Sequence, residues 1–272
     1  MTDSILNWPA KYDVLGVRVS CTDYHATIQA IVLAAKASQS AIVSMQAVHP
    51  IVLASQDNEL REIVNEFDIV APDGQPVRWA LNWLHNLNLS ERVYGPELMW
   101  RLCERAASEN LSVYFYGSTA NVLEQMQNRL KASFPNLHIS GAESPPFRDL
   151  GNEELDDVVK RINGSKAKVV FIGLGAPKQD QFAALIRADV DAVLVCVGAA
   201  FDFHAGAKPM APNWMQRRGL EWLFRFCSEP RRLWKRYLTT NSVFVLKLTH
   251  ALVGRRCRNL FLSTSTPQSK KA

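Results

Sequence analysis

Short uninterrupted apolar runs rich in Val and Ile recur along the chain at residues 41–44, 68–71, 112–116, 137–140, 168–172 and 192–197. Runs that do not alternate with polar positions are what strands covered on both faces look like, so six buried, mostly parallel strands are expected. Between them, residues 23–37, 121–133, 153–162 and 178–188 place apolar side chains at helical spacing. Strand and helix thus take turns, which predicts an α/β fold: a Rossmann-like, mostly parallel sheet with flanking helices. After residue 197 no further strand is expected. The chain becomes rich in Trp, Arg and Leu, and a boundary is expected near residues 204–212, around Gly206, Pro209 and Pro212.

The segment 231–238 has a pattern of its own. Arg231, Arg232, Lys235 and Arg236 alternate in pairs with Leu233, Trp234, Tyr237 and Leu238. At about 100° per residue the two sets fall on nearly opposite sides of a helix, one cationic and one apolar. The organisation expected is a catalytic Rossmann-like unit over 1–204, a basic helical appendage over 205–258, and a disordered tail over 259–272.

Composition sharpens this picture. The 272 residues are 47% hydrophobic and 21% charged, enough to bury a substantial core. The formal net charge of +5 conceals an uneven distribution. Residues 1–203 hold 17 Lys and Arg against 24 Asp and Glu, whereas residues 204–272 hold 14 against only Glu221 and Glu229. An acidic body with a strongly basic end points to an anionic partner. The five cysteines are odd in number and widely spaced, which suits neither a disulfide framework nor a metal knuckle and suggests a reducing compartment. No secretory leader is expected in the first eleven residues. The longest apolar stretch, 243–253, is interrupted by Lys247 and His250 and is too short to span a bilayer.

In an open α/β sheet, ligands bind beyond the carboxyl ends of the strands. Four segments therefore stand out: Pro72-Asp73-Gly74-Gln75, Gly117-Ser118-Thr119, Gly173 through Gln179, and Gly198 through Asp202. The Gly173–Gln179 turn brings backbone N–H groups, a helix N-terminus and Lys178 together, a combination that suits a phosphate. It lacks the third glycine of a dinucleotide fingerprint and the GK[ST] of a Walker loop. Asp73 is either the N-cap of a helix opening near Gln75 or a general base at the sheet edge, and Asp202 has the same two readings. The Asp189-Val190-Asp191 triplet has the form of a metal clamp but precedes its strand, on the wrong edge. The histidines are scattered without ligand spacing, so neither a metal nor a cofactor is expected.

These segments resemble the WecG/TagA/CpsF family of bacterial glycosyltransferases. The matching text is Ala71-Pro72-Asp73-Gly74, Glu91 through Leu98, Gly173 through Gln179, Val197 through Asp202, and Ala211-Pro212 through Gly219-Leu220-Glu221-Trp222-Leu223-Phe224-Arg225 to Glu229-Pro230-Arg231-Arg232. The resemblance implies inverting, metal-independent transfer of a sugar, N-acetylmannosamine or a relative, from a UDP donor to a polyprenyl-diphosphate-linked sugar. It also implies a peripheral position on the inner face of the plasma membrane, with an anionic membrane surface as a partner. By matched position Asp73 becomes the base. Gly173, Gly175, Gln179 and Arg92 become donor contacts, while Arg225, Arg231 and Arg232 become candidates for the diphosphate. Asp202 joins the substrate contacts. Ser44 and Gln46 stand where the family commonly has Thr-x-Asn, and Ser144-Pro145-Pro146-Phe147 replaces a Gly-Tyr-Phe segment. Such differences fit another donor sugar, including glucose. A nucleic-acid binder using the basic end is the alternative of a different class, disfavoured because its aromatics do not form a stacking platform on strands.

Overall fold

The computed structural model describes residues 7–264, and describes the backbone alone at Asn213, Arg232, Arg236 and residues 256–264. A short antiparallel hairpin, β1 (Lys11–Val14) and β2 (Val17–Ser20), precedes helix α1 (Tyr24–Lys36) and strand β3 (Ala41–Gln46). Helices α2 (Val48–Gln56) and α3 (Asn58–Asn65) lead to β4 (Ile69–Pro72), and α4 (Gln75–His85) and α5 (Gly95–Ser108) lead to β5 (Val113–Gly117). Three βα steps follow: α6 (Ala120–Ser133) to β6 (Ile139–Glu143), α7 (Asn152–Gly164) to β7 (Val169–Gly173), and α8 (Lys178–Ile186) to β8 (Val193–Cys196). Beyond β8 come α9 (Ala200–Ala205), α10 (Asn213–Arg217), α11 (Glu221–Ser228), α12 (Pro230–Arg236), a π turn (Tyr237–Asn241) and α13 (Ser242–Thr264). Helix α13 runs through the segment expected to begin a disordered tail; residues 265–272 lie outside the described residues.

Six strands form one sheet in the order β4-β3-β8-β7-β5-β6, every neighbouring pair parallel. All six expected strands are present, each within a few residues of its apolar run. The hairpin and helices α2, α3 and α5 were not anticipated. Strand alternation sends Val43, Phe115, Phe171 and Val195 to one face, where they pack on α1, α5, α6 and α9. Ile42, Tyr116, Ile172 and Leu194 face the other way, against α3, α7, α8 and α13. At the centre of the first layer Phe115 stacks on Phe171 at 5.5 Å and meets Phe201 edge-on at 5.8 Å. Truncating Phe115 to Ala is expected to cost about 3–5 kcal/mol, because the surrounding strands cannot close the cavity left behind. A lowered urea midpoint with an unchanged slope would register it.

The connections after β5 and β7 leave in opposite directions, to β6 on one side and to β8 on the other, so a topological switch point opens between them. Two glycines make that crevice. A Cβ on Gly117, whose φ is +132°, would lie 2.6 Å from the backbone of Gly173, and one on Gly173 would lie 2.7 Å from the Phe201 ring. A side chain at Gly117 would therefore meet the end of β7 and one at Gly173 would meet the Phe201 ring, so neither position has room for one.

Candidate active site

The carboxyl ends of β3, β4, β5, β7 and β8 converge on one cavity of about 1180 Å³. It is lined from the sheet by Met45, Asp73, Tyr116, Gly173, Gly175 and Gln179, and from the C-terminal helices by Arg225, Leu233 and Tyr237. Single small-molecule pockets measure about 300–1,000 Å³, so this one lies just above the upper end of that range.

Asp73 follows β4 directly. It is not a helix cap: the N-cap of α4 is Gly74, at φ 94°, and no side chain caps that helix. The carboxylate is thus left available to the cavity. Desolvation above all, with Glu221 added, raises its pKa to about 6 against the opposing pull of Arg92, Arg225 and the Gly95 N–H. A carboxylate poised near neutrality is suited to accept a proton.

The Gly173–Gln179 turn follows β7 at the switch point. Gln179, only 2% exposed, accepts a hydrogen bond from the Gly198 N–H at 3.0 Å through its side-chain oxygen, which ties the turn after β7 to the turn after β8. Asp202, in the first turn of α9, also lines the cavity and is not an N-cap either. Its carboxylate accepts from Ser118 Oγ at 3.2 Å and pairs with Lys208 at 2.5 Å.

Ser44 and Gln46 are buried and do not line the cavity. Both turn to the face of β3 on which α8 packs, where Ser44 Oγ donates to Asp180 at 2.6 Å and Gln46 Nε2 donates to it at 3.1 Å. Gln46 touches the site through its backbone, since its carbonyl accepts the Asp73 N–H at 3.1 Å. Asp180 itself was not foreseen from the sequence. It is 1% exposed, and desolvation raises its pKa to about 6 despite the two hydrogen bonds. A carboxyl whose folded-state pKa is raised binds its proton more tightly when folded. Its contribution to stability is present in full below about pH 4 and is lost as pH rises through about 6. Asp180→Asn removes that component, about 3 kcal/mol in size. The difference in urea midpoint between variant and wild type is therefore expected to move in the variant's favour across this interval.

The arginines divide. Arg225 lines the cavity, with its guanidinium 5.2 Å from the Phe203 ring centroid. Arg92 is buried behind it, stacked 4.5 Å from the Tyr94 ring centroid and ion-paired with Glu221. Arg231 is exposed on α12 and does not line the cavity, and the side chain of Arg232 lies outside the described residues. Glu221, the partner of Arg92, was not singled out from the sequence, although one signal was visible: it is one of two acids in an otherwise basic segment. Asp189 and Asp191 sit before β8, at the sheet's amino edge, and so away from the cavity.

The amphipathic helix expected over 231–238 stops at Arg236 and gives way to the π turn. Its apolar residues do not share one environment. Leu233 is buried, while Trp234 and Leu238 are 52% and 63% exposed. Among known proteins, the model of the glycosyl transferase WecG/TagA/CpsF family matches residues 12–258 of this chain.

Proposed function

The chain belongs to this glycosyltransferase family, and from that premise we propose that it moves a sugar of the N-acetylmannosamine type from a UDP-sugar to a polyprenyl-diphosphate-linked sugar, with inversion. The observation that carries the reading is Asp73, a carboxylate of raised pKa at a strand end, facing a large cavity that Arg225 also lines. In such a transfer the acceptor hydroxyl oxygen attacks the anomeric carbon while Asp73 takes its proton. The bond from that carbon to the UDP oxygen breaks, and negative charge grows on the departing diphosphate. Arg225 is suited to meet that charge with a planar, bidentate fork. The Gly173–Gly175 backbone and the start of α8 suit the donor's phosphates, while Gln179 and Asp202 hold the turns that surround them. The reaction is expected to need no metal, and a chelator is expected to leave the rate unchanged.

The direct test is release of UDP from UDP-N-acetylmannosamine or UDP-glucose in the presence of a polyprenyl-diphosphate sugar. Release dependent on acceptor with either donor supports the reading and names the sugar. No release with any UDP-sugar would overturn it.

We further propose that the helices after β8 rest on an anionic membrane surface that carries the acceptor. Trp214, Trp222, Trp234 and Leu238 are exposed there, interspersed with exposed Arg217, Arg218, Arg231 and Lys235. No helix among the described residues is long and apolar enough to cross a membrane. Each basic residue held near an anionic surface contributes about 1 kcal/mol. Trp234→Ala with Leu238→Ala is expected to reduce sedimentation with anionic vesicles while leaving the melting temperature unchanged, and equal sedimentation would remove this face from the interface.

A further inference from the structure

Glu221 sits in the first turn of α11, within the helical segment that follows the sheet, yet it is 7% exposed and its carboxylate reaches back to the catalytic side of the molecule. One oxygen, Oε2, pairs with Arg92 Nη2, and the other, Oε1, lies 3.9 Å from Arg225 Nη1. Gln216 Oε1 accepts from the same Arg92 nitrogen at 3.5 Å. Each arginine is also held by a ring, Arg92 by Tyr94 and Arg225 by Phe203. A carboxylate this well buried is costly unless paired, so the arrangement has to be explained by what it holds in place.

What it holds in place is charge beside Asp73. The groups that face Asp73 are Tyr24 from α1, Arg92 and Tyr94 from the segment before α5, and Glu221 and Arg225 from α11. Both phenols are kept neutral by burial, so the charged neighbours are two cations and one anion. Among the described residues neither arginine forms an ion pair with Asp73; both turn to Glu221 instead.

We propose that Glu221 is a positioning residue: by engaging Arg92 and Arg225 together it keeps either guanidinium from closing onto Asp73, and it holds Arg225 facing the cavity for the leaving group. The two functions need opposite things of the same charges. A base must not be sealed in an ion pair, and a departing diphosphate must meet a free cation. A shared carboxylate satisfies both, because Arg225 is held only at 3.9 Å and can turn to an incoming phosphate while Arg92 remains paired. This inference rests on the reading of Asp73 as the base.

The experiment compares pH profiles of kcat/KM for Glu221→Gln and for the double variant Glu221→Gln with Arg92→Gln. With the carboxylate neutralised, the released arginines pair with Asp73. The acid limb is then expected to move about half a pH unit or more toward acid, and kcat is expected to fall about ten- to hundredfold as Arg225 loses its aim. Removing Arg92 as well takes away one of the released cations and leaves no unpaired charge buried opposite it. The limb is expected to return toward the wild-type position, and the melting temperature to rise above that of the single variant. A mere strut would behave differently, since loosening the helix further in the double variant would not bring the limb back. An unmoved limb in Glu221→Gln, or a double variant that stays with the single one, would overturn the inference. Should Glu221→Gln not fold, Glu221→Asp serves: charge kept but reach shortened is expected to preserve the limb and lower kcat, and a moved limb counts against the proposal. The underlying reading fails separately. If Asp73→Asn turns over like wild type, Asp73 is not the base; if it is inactive while the limbs ignore Glu221, only this inference falls.

Discussion

Asp73→Asn is expected to lower kcat by about 10²–10⁴, the contribution a positioned general base makes to a transfer in which the nucleophile's proton departs in the transition state. The amide keeps the shape and the hydrogen-bonding reach of the side chain but cannot take a proton. KM for the donor is expected to change little, because no role in holding the donor is assigned to this carboxylate. The wild-type profile supplies a second readout. With the pKa raised to about 6 by desolvation, kcat/KM should climb as pH rises through that value and level off above it. In the variant this limb should vanish. Stability moves the other way. A carboxylate whose pKa is raised on folding costs stability once ionised, so at neutral pH the Asn variant should melt no lower than wild type. A protein that is at least as stable but nearly inactive would place the loss in the chemistry and not in the fold. Undiminished turnover would mean that Asp73 does not act as the base.

The second large effect is expected at Arg225. Replacing it with Ala should lower kcat by about 10²–10³, the range seen when one pre-aimed donor is removed from a site where negative charge develops. The loss belongs in kcat because charge on the leaving diphosphate is greatest as the bond to the sugar breaks. Lys should restore only part of the rate. It supplies a point charge where Arg supplies two parallel N–H donors, and it cannot keep the stacked contact with Phe203 at 5.2 Å. The fold should tolerate the change, because Arg225 is partly exposed and its 3.9 Å contact with Glu221 is loose. If the rate of the Ala variant matches wild type in the UDP-release assay, the leaving group is stabilised elsewhere, and Arg231 and Arg232 become the residues to test.

Much of this architecture is legible without coordinates. The six strands are visible because a strand buried on both faces has no polar position to interrupt it, and each apolar run lies within a few residues of a strand. The start of α1 is visible for a similarly local reason: Asp23 caps it through the Ala26 N–H at 2.8 Å. The hairpin escapes notice because Lys11, Asp13 and Arg18 interrupt its apolar positions, so it offers no continuous apolar run. Among the site residues, Asp73, Gly173, Gly175, Gln179, Asp202 and Arg225 come together at one cavity, as their places after strands or in the matched C-terminal run led one to expect. Ser44 and Gln46 do not join them. A two-residue spacing puts both on one face of β3, but nothing in the spacing says that a buried carboxylate covers them there, and that partner, Asp180, lies more than a hundred residues away.

The sequence alone determined what is local or periodic: the parallel α/β fold, the strand ends at which chemistry can occur, the family, and the separation of an acidic body from a basic end. Those properties depend on the order of neighbouring side chains, so they survive in one dimension. Tertiary structure alone decided how charges are balanced around Asp73. Arg92 and Glu221 stand 129 residues apart, and only folding places them in one ion pair and brings Arg225 beside it. Whether a carboxylate is a base, a strut or a solvated charge depends on its desolvation and on the ions around it. Both are properties of enclosed space, which a linear pattern does not contain.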